Sequence, residues 1–331
     1  MNKSLSCSVI DVDYQTERLH GGTVGDVQLV KGTAKVADGS TISYKIVLKT
    51  QKKWERLGDP NSWRREYDCY TSDLGISFSD SPLRWAKCYH AELNTDETEI
   101  QLWLEYIDGV SGSDLTVEML EIAAKEMGRY QGRLYTQKPI FLQNLSWLGE
   151  VDAMENYYKH WKQKNVEYSY IRSDNPSDCI IPKHLCDMLI DVDSKADRMF
   201  ENIRKLPVVL CHRDFWIANI FYSDGNVILI DWDTVGWGYL GEDLAQLIAD
   251  ETDIECLDEY KRRLIPSYFE GISEYIDLKM SVESFADIIS DMILLQFGYR
   301  FVWFILQSET SEERDFQIRS LQKVYENFYT K

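Results

Sequence analysis

Positive charge is scarce in this chain. Among its 331 residues, 36 are lysine or arginine against 55 aspartates and glutamates, a net charge of −19. Nucleic acid and anionic membranes repel a surface of that sign. No basic stripe with interleaved aromatics offsets it, so neither partner is expected. Histidine is sparse, and the five present are scattered without metal-site grouping. The seven cysteines, at 7, 69, 88, 179, 186, 211 and 256, are odd in number, and no pair has metal-ligand spacing. They read as reduced thiols of a cytoplasmic protein. The N-terminal stretch MNKSLSCSVIDVDYQTE holds no long apolar run, so no secretory signal is evident. The most apolar late stretch, 288–306, is interrupted by Asp291, Gln296, Tyr299 and Arg300. It reads as too polar for a membrane span and as a buried helix. Internal repeats, low-complexity linkers and an apolar surface seam are all lacking, so the chain is expected as a monomer or dimer.

What is present is a large apolar fraction, 44%, enough for a sizeable core and two lobes. Residues 27–36 and 41–49 are β-prone and joined by Asp38-Gly39, a hairpin signal. A helix is expected from Ser62, as N-cap, to about Asp73, ended by Gly75. Strands follow near 85–93 and 99–106, with a polar turn between them. After Asp108-Gly109 the pattern becomes helical, at 115–134, 151–164, 182–205, 241–250, 256–272 and 282–328, with short strands near 207–211 and 226–231. The expected fold is α+β: a small antiparallel-sheet lobe with one helix over 1–106, and a larger, mainly helical lobe over 107–331.

The chemistry concentrates in residues 207–243. Val208-Val209-Leu210 is a short apolar strand followed by His212-Arg213-Asp214, with Asn219 shortly after. Ile228-Leu229-Ile230 is a second such strand, and it ends in Asp231. Phosphoryl transfer needs an acceptor hydroxyl held in line and Mg²⁺ held against the phosphates. One carboxylate can orient the hydroxyl and take its proton. An amide oxygen and a second carboxylate are hard ligands suited to Mg²⁺. Asp214, Asn219 and Asp231 supply that set, with Asn219 and Asp231 as the metal ligands.

His212-Arg213-Asp214, Asn219 and Ile230-Asp231 resemble the catalytic and metal-binding loops of the protein-kinase-like superfamily. In detail they resemble the aminoglycoside phosphotransferase and choline kinase branch. Trp216 stands where protein kinases usually carry lysine, and Trp232-Asp233 follows the metal aspartate in place of Phe-Gly. Gly241-Glu242-Asp243-Leu244-Ala245 resembles a compressed, proline-less version of the branch's Gly-Asp-Pro-x-x-Asp-Leu-Ala. A long activation segment and an Ala-Pro-Glu stretch are missing, which disfavours a protein substrate. The resemblance runs from about residue 17 to 250 and is specific over 212–243. It implies a bilobal protein-kinase-like fold and a nucleotide site made of four parts. These are Lys49 at the end of the third strand, Glu66 on the next helix as its partner, Gly22 and Gly25 in a phosphate-covering loop, and backbone groups of Glu105, Tyr106 and Ile107 at the adenine edge. ATP is the expected co-substrate, with GTP left open. A plain hairpin turn is the alternative for the glycine loop.

The acceptor is approached through charge. Residues 1–106 hold 13 basic and 16 acidic side chains, and residues 107–331 hold 23 and 39. Between Arg213 and Lys261 lie twelve acidic residues and no basic one, including Asp233, Glu242, Asp243, Asp250, Glu251 and Asp253. Such a cleft would attract a cation; a solvated acidic surface is the alternative. Nearby aromatics, Phe215, Trp216, Trp232, Trp237 and Tyr239, could instead cage a quaternary ammonium or simply be core. Asp233, Glu242 and Trp237, the last read as lying in a loop, are the substrate-contact candidates. The expectation is an aminoglycoside-like cationic acceptor, which would imply antibiotic resistance. A choline, ethanolamine or metabolic sugar kinase is the alternative, and a nucleotide-binding pseudokinase a distant one.

Overall fold

The structure, a computed structural model, describes residues 7–19, 25–54, 59–79, 81–166, 179–250 and 252–329. It divides into two compact units. The first comprises Met1–Val110, Pro139–Leu148 and Phe221–Thr234; the second comprises the rest. A single cut at residue 107 therefore does not describe the division. The segment carrying Asp231 belongs to the first unit, because its strand pairs there.

The first unit holds strands β1 (Val9–Arg18), β2 (Asp26–Val36) and β3 (Thr41–Lys52), helix α1 (Ser62–Thr71), then β4 (Leu83–Trp85), β5 (Cys88–Leu93) and β6 (Glu99–Glu105). Its main sheet is antiparallel, in the order β1–β2–β3–β6–β5. Asp38-Gly39 makes the β2–β3 turn, and the Asp38 carboxylate accepts both the backbone N–H (2.8 Å) and the hydroxyl (2.7 Å) of Ser40. Along β6, Ile100, Leu102 and Leu104 alternate inward and pack with Trp63 of α1. The same period on β3 turns Val47, Lys49 and Gln51 toward α1, where Val47 joins the Trp63 cluster and Gln51 donates to the Trp63 carbonyl at 3.0 Å.

Three expected boundaries shift. Ser62 is the first helical residue of α1 rather than its cap; Asn61 is the N-cap and makes no side-chain bond. Gly75 does not end this region, because a 3₁₀ turn over Asp73–Phe78, opened by the Ser72 hydroxyl, carries the chain through it. The strand expected over 85–93 is two strands. β4 leaves the main sheet to pair in parallel with Asn226–Leu229, Leu83 opposite Val227 and Trp85 opposite Leu229.

Beyond β7 (Val110–Ser111), the second unit begins with α2 (Val117–Gln137). The short α3 (Ile140–Gln143) returns to the first unit. There follow α4 (Ala153–Val166), α5 (Lys183–Ile203), β8 (Val208–Cys211), β9 (Ile220–Ser223), β10 (Asn226–Leu229), β11 (Gly236–Tyr239), α6 (Glu242–Ala249), α7 (Leu257–Ser273), α8 (Val282–Gln307) and α9 (Ser311–Phe328). β8 and β11 form an antiparallel ribbon, with Trp237 opposite Leu210. The helix expected over 282–328 breaks at Ser308, because Thr310 and Glu313 form a capping box that starts α9. By length and composition α8 could cross a membrane, contrary to the expectation that it is too polar. It is apolar on all sides because α4, α5, α6, α7 and α9 all pack on it.

Candidate active site

In the first unit the site is built around Lys49. Its ammonium lies 2.6 Å from Glu66 Oε2 and 2.7 Å from Asp231 Oδ1. Glu66 is 1% exposed, Lys49 11% and Asp231 30%. Burial alone would lower the Lys49 pKa, but the charges of Asp231, Glu66 and Asp233 more than reverse this and keep it protonated. Burial pushes the Glu66 carboxyl up to about 7 against the opposing pull of Lys49. Asp231 has φ 62°, a left-handed backbone unusual for a side chain other than glycine or asparagine. Helix α1 braces this segment. Arg65 forks onto Asp59 at 2.5 and 2.7 Å and donates to the carbonyls of Asp233 (3.2 Å) and Trp147 (3.0 Å). Cys69 donates to the Trp232 carbonyl at 3.8 Å. The Trp232 ring is buried between Phe78 and Trp85, with centroids at 5.5 and 6.0 Å, so it is core here and no part of an ammonium cage.

The other nucleotide candidates divide. Gly22 lies outside the described residues. Gly25 immediately precedes β2, where a Cβ would sit 3.2 Å from the Thr50 carbonyl. The Glu105 N–H is already given to the Lys87 carbonyl at 2.8 Å. Its carboxylate is held by Arg84 at 2.7 Å and by the Lys87 N–H at 3.0 Å. The Glu105 backbone donor is thus engaged within this unit by the residue that precedes β5. Tyr106 and Ile107 follow the strand in irregular backbone, with Lys45 4.7 Å above the Tyr106 ring.

In the second unit the loop after β8 presents Asp214. Asn219 Nδ2 donates to Asp214 Oδ2 at 2.6 Å and to its carbonyl at 2.9 Å. The Asp214 N–H donates to His212 Nδ1 at 3.2 Å. Arg213 has φ 66°. That turn is held by Asp243, whose carboxylate accepts the N–H groups of His212 (3.0 Å) and Arg213 (2.8 Å) and the Gln131 amide (2.8 Å). The Arg213 guanidinium donates to the carbonyls of Glu150 and Trp237. It passes so close to Gly236 that a Cβ there would lie 2.5 Å from it. Gly241, at φ 103°, caps α6 and gives its N–H to the Tyr268 hydroxyl at 3.1 Å.

Two of the three expected acceptor contacts, Asp233 and Glu242, are buried side chains. Asp233 belongs to the first unit and contributes its charge to Lys49 and Glu66. Glu242 is 5% exposed and turns inward, accepting the Tyr239 N–H at 2.7 Å. Trp237 is a strand residue, not a loop residue, half-buried on β11. Asp243 is fully buried beneath the loop, and Asp250 pairs with Arg300 at 2.9 Å. Asp253 caps a 3₁₀ turn, and Glu251 lies outside the described residues. Within the acidic run, Asp233, Glu242, Asp243 and Asp250 are thus buried inside the fold, whereas Asp224, Asp253, Glu255 and Asp258 are exposed. Among its aromatics, Phe215 is fully buried.

Glu242 yields a prediction. Burial raises its pKa to about 7 from 4.5. Its contribution to stability is therefore complete below pH 4.5 and is lost as pH rises through 7. Glu242→Gln keeps the acceptor for Tyr239 without the charge. Thermal melts should place the variant above the wild type at pH 8, by up to about 3 kcal/mol, with the gap closing by pH 5. A gap that does not change with pH would refute the assignment.

Residues 86–275 match the phosphotransferase enzyme family, more than half of the chain. The chain belongs to that family. The curated mouse protein Ethanolamine kinase 1 is 32% identical over 78 residues, which spans 21% of this chain and 22% of that protein. The match therefore covers about a fifth of the relative's length. Among solved structures, choline kinase from Cryptosporidium parvum Iowa II is 15% identical, with 95% of this chain and 89% of that chain covered and a TM-score of 0.59. An aminoglycoside 2′-phosphotransferase-IIIa variant with GDP is 13% identical, with 96% and 93% covered and a TM-score of 0.63. The amicoumacin kinase hAmiN with AMP-PNP, Ca²⁺ and Ami is 15% identical, with 94% and 88% covered and a TM-score of 0.58. These identities speak to fold alone, and the fold is the protein-kinase-like α+β one, with a sheet unit and a helical unit.

The donor set of this phosphotransferase fits a hard divalent cation. Asn219, whose amide nitrogen is committed to Asp214, has an amide oxygen of the hard type in the second unit, and Asp231 has a carboxylate in the first. Among the described residues no group of three or more His, Cys, Asp or Glu could form an all-protein cage. Mg²⁺ characteristically takes one or two protein ligands and completes its shell with phosphates and water. Sequence reading missed Arg65 and Gln246 and gave Asp243 no site role. Arg65 stands beside Glu66, and Asp243 lies in the Gly-Glu-Asp-Leu-Ala stretch. Gln246 left no signal, since an isolated glutamine is ordinary on any helix.

Proposed function

We propose that this phosphotransferase is a cytoplasmic, Mg²⁺- and ATP-dependent O-kinase whose acceptor is a small amine-bearing alcohol. Lys49, held by Glu66, pairs with phosphate oxygens of ATP. Asp231 and Asn219 hold Mg²⁺, which neutralises charge on the transferring phosphates. Asp214 orients the acceptor hydroxyl and takes its proton as the new O–P bond forms and the bridging O–P bond to ADP breaks. Backbone groups of Tyr106 and Ile107 receive the adenine edge.

The observation that carries this reading is the buried Lys49–Glu66–Asp231 triad. A cation held at full charge between two carboxylates is costly to bury and weakly stabilising. Its use is as a ready phosphate ligand. A compact amino alcohol is favoured over a polycation, because Asp233, Glu242, Asp243 and Asp250 are engaged internally. The similarity to ethanolamine kinase supports the same choice. An aminoglycoside is the second reading, supported by the likeness in fold to an aminoglycoside phosphotransferase.

The test is an acceptor panel. ADP release from Mg²⁺–ATP is measured with ethanolamine, choline, aminopropanol, kanamycin and a neutral sugar. Acceptor-dependent turnover with an amino alcohol is expected. Turnover with kanamycin alone would select the second reading. Turnover with the sugar alone, or ADP release indifferent to every acceptor, would overturn the amine assignment.

A further inference from the structure

Helix α6 presents a buried polar edge to the loop that carries Asp214. Asp243 and Gln246 lie one turn apart on α6, and Asp250 is the C-cap residue that follows it. Asp243 fixes the backbone before Asp214 through the N–H groups of His212 and Arg213. Gln246 acts after it: Gln246 Oε1 accepts the Phe215 N–H at 3.1 Å. Because Oε1 is used there, the amide has one orientation. Its nitrogen faces Asp214 Oδ1 at 3.3 Å and Asp250 Oδ2 at 3.2 Å. Asp250 is itself buried and anchored by Arg300 of α8 at 2.9 Å.

We propose that Gln246 is a positioning residue for the Asp214 carboxylate, anchored through Asp250 to Arg300. The inference rests on the reading of Asp214 as the group that orients the acceptor hydroxyl. Asp214 Oδ2 is held by Asn219 and Oδ1 by Gln246. The two oxygens are gripped by separate elements, so rotation of the carboxylate about χ2 is blocked. Asn219 alone would leave the carboxylate hinged on one oxygen. A hydroxyl must lie in line with the breaking bond when its proton leaves, and misplacement of about 1 Å costs on the order of 100-fold in rate. Gln246 does this without adding charge beside the base. It also ties the base to α8, the central helix of this unit, so the loop does not carry the carboxylate alone.

The experiment is a double-mutant cycle between Gln246→Met and Asp214→Ala, with Gln246→Glu as a second variant that keeps the acceptor for Phe215 and loses the donor. ADP release is followed with ethanolamine, with kanamycin and with water alone, so that a rate is obtained whichever acceptor is taken. Gln246→Met should lower kcat by roughly 10- to 100-fold and leave KM for ATP within about twofold. In the Asp214→Ala background the same change should have little further effect, because the group it positions is gone. Gln246→Glu should resemble Gln246→Met in kcat, whether or not the methionine variant is stable enough to assay. Wild-type kcat in both variants, with Asp214→Ala slowed by the expected ~1,000-fold, would overturn the positioning role alone. An equal loss in both backgrounds would also overturn it, by making Gln246 merely structural. Full activity of Asp214→Ala would bring down the reading of Asp214 and this inference with it.

Discussion

Replacing Asp214 with alanine should lower kcat by about 1,000-fold, within the range of 10²–10⁴ typical for a positioned general base, while the affinity for ATP stays nearly unchanged. The reason is local. Asp214 is held by Asn219 and Gln246 of its own unit, whereas the Lys49 triad lies wholly in the other. Removing the carboxylate takes nothing from the groups assigned to the phosphates. Asp214→Asn is the sharper form, since it keeps the volume and loses the base; its kcat should fall nearly as far. Steady-state kinetics with an active acceptor, beside calorimetric titration of ATP, measure both quantities. Wild-type turnover in either variant would remove Asp214 from the chemistry.

The second large effect is expected at Asp231. Asp231→Asn should cost at least about 100-fold in Mg²⁺-dependent ATP affinity, the upper part of the range seen when groups supporting a metal site are lost, with little change in melting temperature. Asparagine tolerates the left-handed backbone at φ 62° and retains an oxygen for the Lys49 ammonium. Glu66 still balances the lysine charge, so no unpaired buried ion is created. Asp231→Ala should lose the same affinity and also destabilise the fold, because alanine is strained at that φ and leaves Lys49 one partner short. Calorimetric titration of ATP with and without Mg²⁺ separates metal-dependent binding from the rest. An unchanged Mg²⁺–ATP isotherm in Asp231→Asn would be incompatible with metal ligation by this residue.

The two residue groups are brought together in different ways. Asp214 and Asn219 are close in the chain, so their meeting follows from a short loop after an apolar strand. The pairing of Lys49 with Glu66 follows from two local periods. Alternation along β3 puts Lys49 on the face covered by α1, and the helical repeat brings Glu66 back to that face beside Trp63. The charge of residues 231–253 was equally visible, yet its meaning was not. Aspartate and glutamate have the same letters whether they face water or hold a loop from below. Asp243 and Glu242 became bracing only when α6 packed beneath β8 and β11, and Asp250 only when Arg300 arrived from α8.

The type of fold, the strand ends that carry Asp214 and Asp231, and the lysine–glutamate pair were legible in the order of the residues. Those depend on periodicity and on partners near in the chain or on adjacent elements. Contacts between distant elements bring the Asp231 segment into the sheet-bearing unit through β4, turn Asp233, Glu242, Asp243 and Asp250 inward, and set Gln246 against Asp214. Each of these depends on contacts between residues far apart in the chain. There, burial changes what a charge or an amide does, because a polar group removed from water must find its partner within the fold.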